Sequence, residues 1–198
     1  MQADEIRFLF LSAGASPSWN MTQFVKQMVP VGGEPLQVRN VRLLEEMGFD
    51  PLVLTSEREI MDAVPGKCVI PVSEERIEDT ILSARGLWRK RTIYLSGDVV
   101  FFKDAYEELV KSEGTCIWRG KYGIVAVVLD WEDRDRFVLW VEAARADGIA
   151  RGRSYLHSML YRHEEFGFSS PFLDRKFMFD FDNEAQYRAF LEAFEGRE

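Results

Sequence analysis

Short apolar runs alternate with amphipathic segments along this chain, and that alternation constrains the fold more than any other feature. Residues Ile6–Leu11 are apolar apart from Arg7 and break directly into Ser-Ala-Gly-Ala-Ser. Such a run predicts a strand buried on both faces that enters a small-residue loop. Residues 36–47 then place Leu36, Val41, Leu43, Leu44 and Met47 at roughly helical spacing, with Gly48 as a stop. Strands are expected over 51–55, 68–72, 92–95, 123–129 and 176–181. Helices are expected over 73–88, 104–111, 132–146, 153–165 and Glu184–Phe194. The third strand is weakened by Pro71, which lacks the N–H that a ladder needs.

This order predicts an α/β chain with three layers, α/β/α, around a mostly parallel mixed sheet. The 198 residues carry no linker, repeat or low-complexity tract, so one domain spanning 1–198 is expected. In open sheets of this kind ligands bind beyond the carboxyl ends of the strands. Three loops therefore matter most: those after Leu11, after Leu95 and after Phe179.

Composition removes several classes of function. Lys and Arg number 25 against 33 Asp and Glu, a formal net charge of −8. A broad nucleic-acid or anionic-membrane surface is disfavoured, whereas a local phosphate site is not. Two cysteines, Cys68 and Cys116, exclude a disulfide scaffold and read as free thiols of a reducing compartment. The apolar run at Phe8–Leu11 is too short to cross a membrane and follows Asp4 and Glu5, unlike a signal peptide. A cytoplasmic protein is the resulting expectation.

The loop after the first strand, Leu11-Ser12-Ala13-Gly14-Ala15-Ser16, lets backbone N–H groups approach a phosphate. It is neither a Walker loop nor a dinucleotide fingerprint, because the Gly-Lys-Ser/Thr and the second and third glycines are missing. Tight packing of strand against helix accounts equally for its small residues. The block that follows is more specific: Lys26-Gln27-Met28-Val29-Pro30-Val31-Gly32-Gly33-Glu34-Pro35-Leu36. Together the two blocks resemble the sugar-phosphate nucleotidyltransferases, including sugar-1-phosphate nucleotidylyltransferases and molybdenum cofactor guanylyltransferases. Their pattern runs L-A-A-G-x-G-x-R and then P-K-x-L-x-P-V-x-G-x-P-L. Leu11, Ala13 and Gly14 match the first block. Lys26, Met28 (for Leu), Pro30, Val31, Gly33, Pro35 and Leu36 match the second. Ser16 stands for the second glycine, Ser18 for the arginine and Val25 for the proline before the lysine.

The resemblance implies a nucleotide-diphospho-sugar transferase, Rossmann-like fold. It implies transfer of a nucleoside monophosphate from an NTP to a phosphorylated acceptor such as a sugar 1-phosphate, with Mg²⁺ and release of pyrophosphate. Lys26 would be catalytic. Leu11, Ala13, Gly14, Ala15, Ser16 and Lys26 would bind the nucleotide. Residues 1–110 would hold the nucleotide, 111–175 the acceptor, and 176–198 a returning strand and final helix. A homodimer is compatible with this assignment.

Two aspartate loops complete the expected site. Thr92-Ile93-Tyr94-Leu95-Ser96-Gly97-Asp98 ends an apolar strand in a carboxylate, placed either to hold a hydrated Mg²⁺ or to cap the next turn. Phe179-Asp180-Phe181-Asp182-Asn183 resembles the family's D-I-D-T, which makes Asp180 the second metal candidate, whereas Asp182 or Asn183 is placed to cap the final helix. Arg39 and Arg42 are candidate substitutes for the arginine absent at position 18. His157 and His163 are six apart and share no helical face, which disfavours a metal pair. Lys121, Arg151 and Arg153 are weaker acceptor candidates. Tyr155, Tyr161, Phe166, Phe168 and Phe172 are expected mainly in the core.

Two further classes remain: a metal-dependent glycosyltransferase using Asp180-Phe181-Asp182, and a non-catalytic sugar-nucleotide binder. The glycosyltransferase motif normally follows a central strand, the place held here by Gly97-Asp98. The binder is suggested by Ser16 and Ser18.

Overall fold

A computed structural model describes residues 2–13, 25–121, 123–151, 155–174, 178–181 and 183–194, with residues 151, 155–158 and 180 described by backbone alone. The elements are β1 (Ile6–Leu11), β2 (Pro30–Val31), β3 (Glu34–Pro35), α1 (Leu36–Glu46), β4 (Leu52–Leu54) and α2 (Arg58–Ala63). Then come β5 (Cys68–Val69), α3 (Ile77–Ser83), β6 (Arg91–Ser96), β7 (Val99–Phe101), α4 (Lys103–Lys111), β8 (Cys116–Arg119) and β9 (Ile124–Asp130). The chain continues through α5 (Arg134–Arg151), α6 (Tyr155–Arg162), β10 (Met178–Asp180) and α7 (Glu184–Phe194).

Six strands form the central sheet in the order β5-β4-β1-β6-β9-β8. The β5–β4, β4–β1 and β1–β6 pairs are parallel, and β9 runs antiparallel to both β6 and β8. The mostly parallel mixed sheet read from the sequence is therefore present. Every residue of β1 is buried, because alternate side chains enter opposite layers. Phe8 and Phe10 pack with Val41, Leu44, Tyr106 and Leu109 from α1 and α4. Leu9 and Leu11 pack with Ile81, Phe137, Trp140 and Met159 from α3, α5 and α6. Arg7, the polar exception, is 8% exposed and reaches the Asp50 carbonyl at 2.9 Å and its carboxylate at 3.0 Å.

Several elements depart from the expected pattern. Helix α3 covers Ile77–Ser83 rather than 73–88, and a 3₁₀ turn follows at Arg85–Leu87. The Ile81 carbonyl accepts both the Ala84 N–H (3.2 Å) and the Tyr94 hydroxyl (3.0 Å), so the helix closes in a tighter i→i+3 turn at its C-terminus. Strand β5 stops at Val69, short of Pro71. Strand β7 and helix α2 have no counterpart in the sequence pattern; Val99 and Phe101 are buried, and β7 pairs with β10.

Strand β8 was likewise unexpected. Its outer edge is covered by 169–173, through Ile117 N–H to the Ser169 carbonyl (3.0 Å) and Arg119 N–H to the Pro171 carbonyl (2.9 Å). Covering the edge removes a row of open hydrogen-bonding groups. Strand β10 lies outside the main sheet and, among the described residues, pairs with β7. Around that pair Val29, Val31, Leu36, Val100, Phe181, Tyr187, Phe190 and Phe194 form a third apolar cluster.

Candidate functional site

The site assembles where β1 and β6 end side by side. Ser12, the first residue beyond β1, is held from three sides. Its N–H donates to the Leu54 carbonyl (3.1 Å), its carbonyl accepts from the Thr55 hydroxyl (3.1 Å), and its hydroxyl donates to Gln37 Oε1 (2.7 Å). Gly97 lies directly against it. The Gly97 N–H donates to the Leu11 carbonyl (3.0 Å), and a Cβ at this position would meet Ser12 Oγ at 2.0 Å and Leu11 O at 2.9 Å. No side chain fits there. Glycine at 97 is what lets the β6–β7 turn lie on the end of β1 and carry Asp98 into the site.

Lys26 reaches the same turn from a different part of the chain. It opens a 3₁₀ turn, Lys26–Met28, and its side chain is 2% exposed. Nζ donates to Asp98 Oδ2 at 2.7 Å and lies 6.0 Å from the centre of the Phe181 ring. The following residues anchor the lysine. Val29 and Val31 are fully buried against Phe181 and Tyr187, and the Tyr187 hydroxyl donates to the Pro30 carbonyl. Gly32 and Gly33, both at positive φ (62° and 81°), close the β2–β3 hairpin tightly, as a two-residue turn requires. The Leu36 N–H donates to the Val29 carbonyl (2.9 Å), so α1 starts where the lysine block ends.

Helix α1 fixes the other side of the turn. Asn40 Nδ2 donates to the Val99 carbonyl (2.9 Å), and Arg39 Nη1 donates to the Phe101 carbonyl (2.8 Å). Strand β10 pairs antiparallel with β7 so that Asp180 lies opposite Val99. The backbone thus brings Asp180 beside Asp98, although about 80 residues separate them in sequence.

The structure brings Leu11, Ala13, Lys26 and Asp98 together at the carboxyl edge and puts the backbone of Asp180 on the neighbouring strand. Gly14, Ala15, Ser16 and Ser18 lie outside the described residues, as do Asp182 and Arg153. Arg39 is corrected as a substitute phosphate cation. It is 8% exposed, committed to the Phe101 carbonyl, and lies over the Phe102 and Phe194 rings. Arg42 instead faces Glu34 and Glu46. The Thr80 hydroxyl faces the Ser73 and Arg76 carbonyls, which makes it part of its own turn. Lys121 is exposed in the β8–β9 connection, on the same edge of the sheet as Asp98.

Two polar groups went unnoticed in the sequence: Gln37, at the root of the first loop, and Glu78, a completely buried carboxyl near the start of α3. Neither belongs to a motif, and only tertiary packing singles them out. Burial, with the nearby Asp79 carboxylate as a lesser cause, pushes the Glu78 carboxyl up to about 7.

Asp98 offers hard oxygen donors of the kind that suit Mg²⁺, and it already carries a cation, Lys26 Nζ. Mg²⁺ keeps several waters and needs only one or two protein carboxylates, so the partly exposed carboxylate of Asp98 suits it. Among the described residues no cluster of three or more His, Cys, Asp or Glu side chains is arranged for a metal.

No protein-family model matches the chain, and no curated protein matches it. Solved structures do. A CTP:phosphocholine cytidylyltransferase from Streptococcus pneumoniae superposes with a TM-score of 0.69 at 12% identity, covering 96% of this chain and 99% of that one. A putative glucose-1-phosphate thymidylyltransferase from Bacillus anthracis gives 0.67 at 9% identity, covering 96% and 95%. The inositol-1-phosphate CTP transferase from T. maritima gives 0.62 at 12% identity, covering 98% and 96%. The chain therefore has the fold of the sugar-phosphate nucleotidyltransferases. Among the described residues no helix is long and apolar enough to cross a membrane.

Proposed function

We propose that the chain is a Mg²⁺-dependent nucleotidyltransferase that moves a nucleoside monophosphate from an NTP to a phosphorylated small acceptor, most simply a sugar 1-phosphate. An acceptor phosphate oxygen forms a bond to the α-phosphorus, the bond from that phosphorus to the α–β bridging oxygen breaks, and pyrophosphate leaves. The observation that carries this reading is the Lys26–Asp98 contact at the carboxyl edge of β1 and β6. It joins the distinctive lysine block to the strand-end aspartate in one place.

Little covalent chemistry falls to the protein in such a transfer. It must align two anions and screen their repulsion. In this reading residues 1–110 hold the NTP, with Ala13, Gly14, Ala15 and Ser16 presenting backbone N–H groups to its phosphates and Leu11 ending the strand that carries them. Lys26 offers its ammonium to the reacting phosphate. Asp98 and Asp180 would hold the metal ion, which when bound neutralises phosphate oxygens and favours in-line attack. Residues 111–175 shape the acceptor pocket, with Lys121 at its rim, and 176–198 return Asp180 to the site and anchor Lys26 through Tyr187.

The test is pyrophosphate release, measured with each common NTP paired with a panel of sugar 1-phosphates and other phosphomonoesters, with and without Mg²⁺. Release that needs NTP, acceptor and metal together supports the reading. A nucleoside diphosphate product from sugar nucleotides points to a glycosyltransferase. Binding of a sugar nucleotide without turnover points to the non-catalytic binder that Ser16 and Ser18 suggest.

A further inference from the structure

The side-chain amide of Gln37 is half used. The residue is wholly buried in the first turn of α1. Its Oε1 accepts the Ser12 hydroxyl at 2.7 Å, while its Nε2 is buried with no hydrogen-bond partner among the described residues. A buried N–H donor without a partner is costly, and an apolar side chain of similar length would avoid that cost. The location is specific. Ser12 begins the loop beyond β1, and its hydroxyl lies against Gly97, one residue from Asp98. Two other buried side chains with unpartnered atoms cannot donate to an anion. Asn40 Oδ1 and both Glu78 carboxyl oxygens are acceptors. Arg7 Nε is a donor but lies near the opposite end of β1.

We propose that Gln37 is a phosphate-binding residue, with Nε2 donating a hydrogen bond to a non-bridging oxygen of the triphosphate. The inference rests on the nucleotidyltransferase reading of the site and adds to it a residue outside the sequence motifs. A neutral donor would add to a chain whose sequence has Ser18 where similar enzymes carry arginine. The Ser12 hydroxyl would hold the amide in register, and Gln37 would supply direction rather than charge.

The test uses inorganic tripolyphosphate with Mg²⁺, the part common to all NTPs, titrated calorimetrically into four proteins. They are the wild type, Ser12→Ala, Gln37→Glu and the double variant Ser12→Ala with Gln37→Met. Inorganic phosphate is titrated in parallel, and each Tm is measured without ligand. The double variant replaces both partners of a buried pair with apolar groups, so its Tm should stay close to wild type. Its tripolyphosphate affinity should fall about ten-fold or more, the size of one hydrogen bond to a charged group. Ser12→Ala keeps Nε2 and should lose much less.

Gln37→Glu keeps an acceptor for Ser12 but puts a carboxylate toward the anion. It should bind weakest, and it decides the matter if the double variant fails to fold. Wild-type affinity in Gln37→Glu or in the folded double variant overturns the proposal and leaves the functional reading standing. Weakened inorganic phosphate binding with unchanged tripolyphosphate binding also overturns it, by moving the contact to the acceptor phosphate. Absence of tripolyphosphate binding in the wild type overturns both the proposal and the reading beneath it.

Discussion

Lys26 Nζ and Asp98 Oδ2 lie 2.7 Å apart across 72 residues of sequence, and the lysine side chain is almost completely enclosed while the aspartate is 30% exposed. The pair therefore has an inside and an outside. The cation is held by the protein, and the carboxylate keeps an opening toward the ligand side. A metal ion approaching Asp98 competes with Lys26 for the same carboxylate, and an arriving phosphate gives the displaced ammonium a new partner. Metal and phosphate should thus bind better together than separately.

Lys26→Met tests that coupling. Removing the competing cation should tighten the binding of Mn²⁺ alone, measured by electron paramagnetic resonance. It should also lower transfer activity by about 10²-fold or more, the usual cost of losing a transition-state charge contact. Unchanged Mn²⁺ affinity would mean that Lys26 and metal do not share Asp98.

Asp98 has a second duty that its sequence motif does not reveal. Read as a metal ligand alone, its loss would leave the fold untouched and relieve repulsion with Asp180. The structure adds an ion pair to that reading: Asp98 neutralises an enclosed lysine. Asp98→Ala should therefore both abolish metal-dependent nucleotide binding and destabilise the protein by about 1–3 kcal/mol, less than a fully buried pair because Asp98 is partly exposed. Adding Lys26→Met should restore much of the lost Tm without restoring binding. Denaturant unfolding of the two single variants and the double variant measures this coupling.

Gly97→Ala should cost stability and function together. The added Cβ would meet Ser12 Oγ at 2.0 Å and the Leu11 carbonyl at 2.9 Å, and the carbonyl belongs to a central strand that cannot give way. A loss of about 1–3 kcal/mol in urea unfolding is expected, with a larger fractional loss of nucleotide affinity than an equally destabilising change remote from the site. Wild-type stability in this variant would show that the turn can move away from β1.

The sequence made the sheet legible because β1 is apolar apart from Arg7, β6 carries Ile93-Tyr94-Leu95 and β9 is apolar from Ile124 to Leu129, and burial on both faces leaves few other placements for such runs. It made Lys26 and Asp98 legible because one sits in a distinctive block and the other ends a strand. Their direct contact was not legible, since it depends on Gly97 fitting under Ser12 and on Tyr187 anchoring the lysine block from the other end of the chain. Arg39 shows the converse. Its helical spacing left it a candidate phosphate cation, and packing turns it inward to the Phe101 carbonyl. Gln37 and Glu78 carry no local signal because what marks them is burial with polar atoms left unpartnered, a property of the assembled layers.

Glu78 should give stability an unusual pH dependence. Burial raises its carboxyl from 4.5 to about 7, so the folded state holds the proton more tightly than the unfolded chain. Between those values the unfolded chain loses its proton while the folded protein keeps it. This contribution is full below about pH 4.5, declines as pH rises toward 7, and is constant above that. The total is on the order of 3 kcal/mol at most. Glu78→Gln should raise Tm at pH 8 more than at pH 5; equal effects at both would show that the carboxyl is not titrating in this window.

The central claim is that Lys26 and Asp98 serve one nucleotidyl transfer, and the fate of the α-phosphate tests it most directly. With α-labelled NTP, a phosphorylated acceptor and Mg²⁺, the label should appear in a nucleotide–acceptor diphosphate while unlabelled pyrophosphate is released in equal amount. Lys26→Met and Asp98→Asn should each suppress both products. Label that stays in the NTP for every acceptor tried, or transfer that persists undiminished in both variants, would contradict the account.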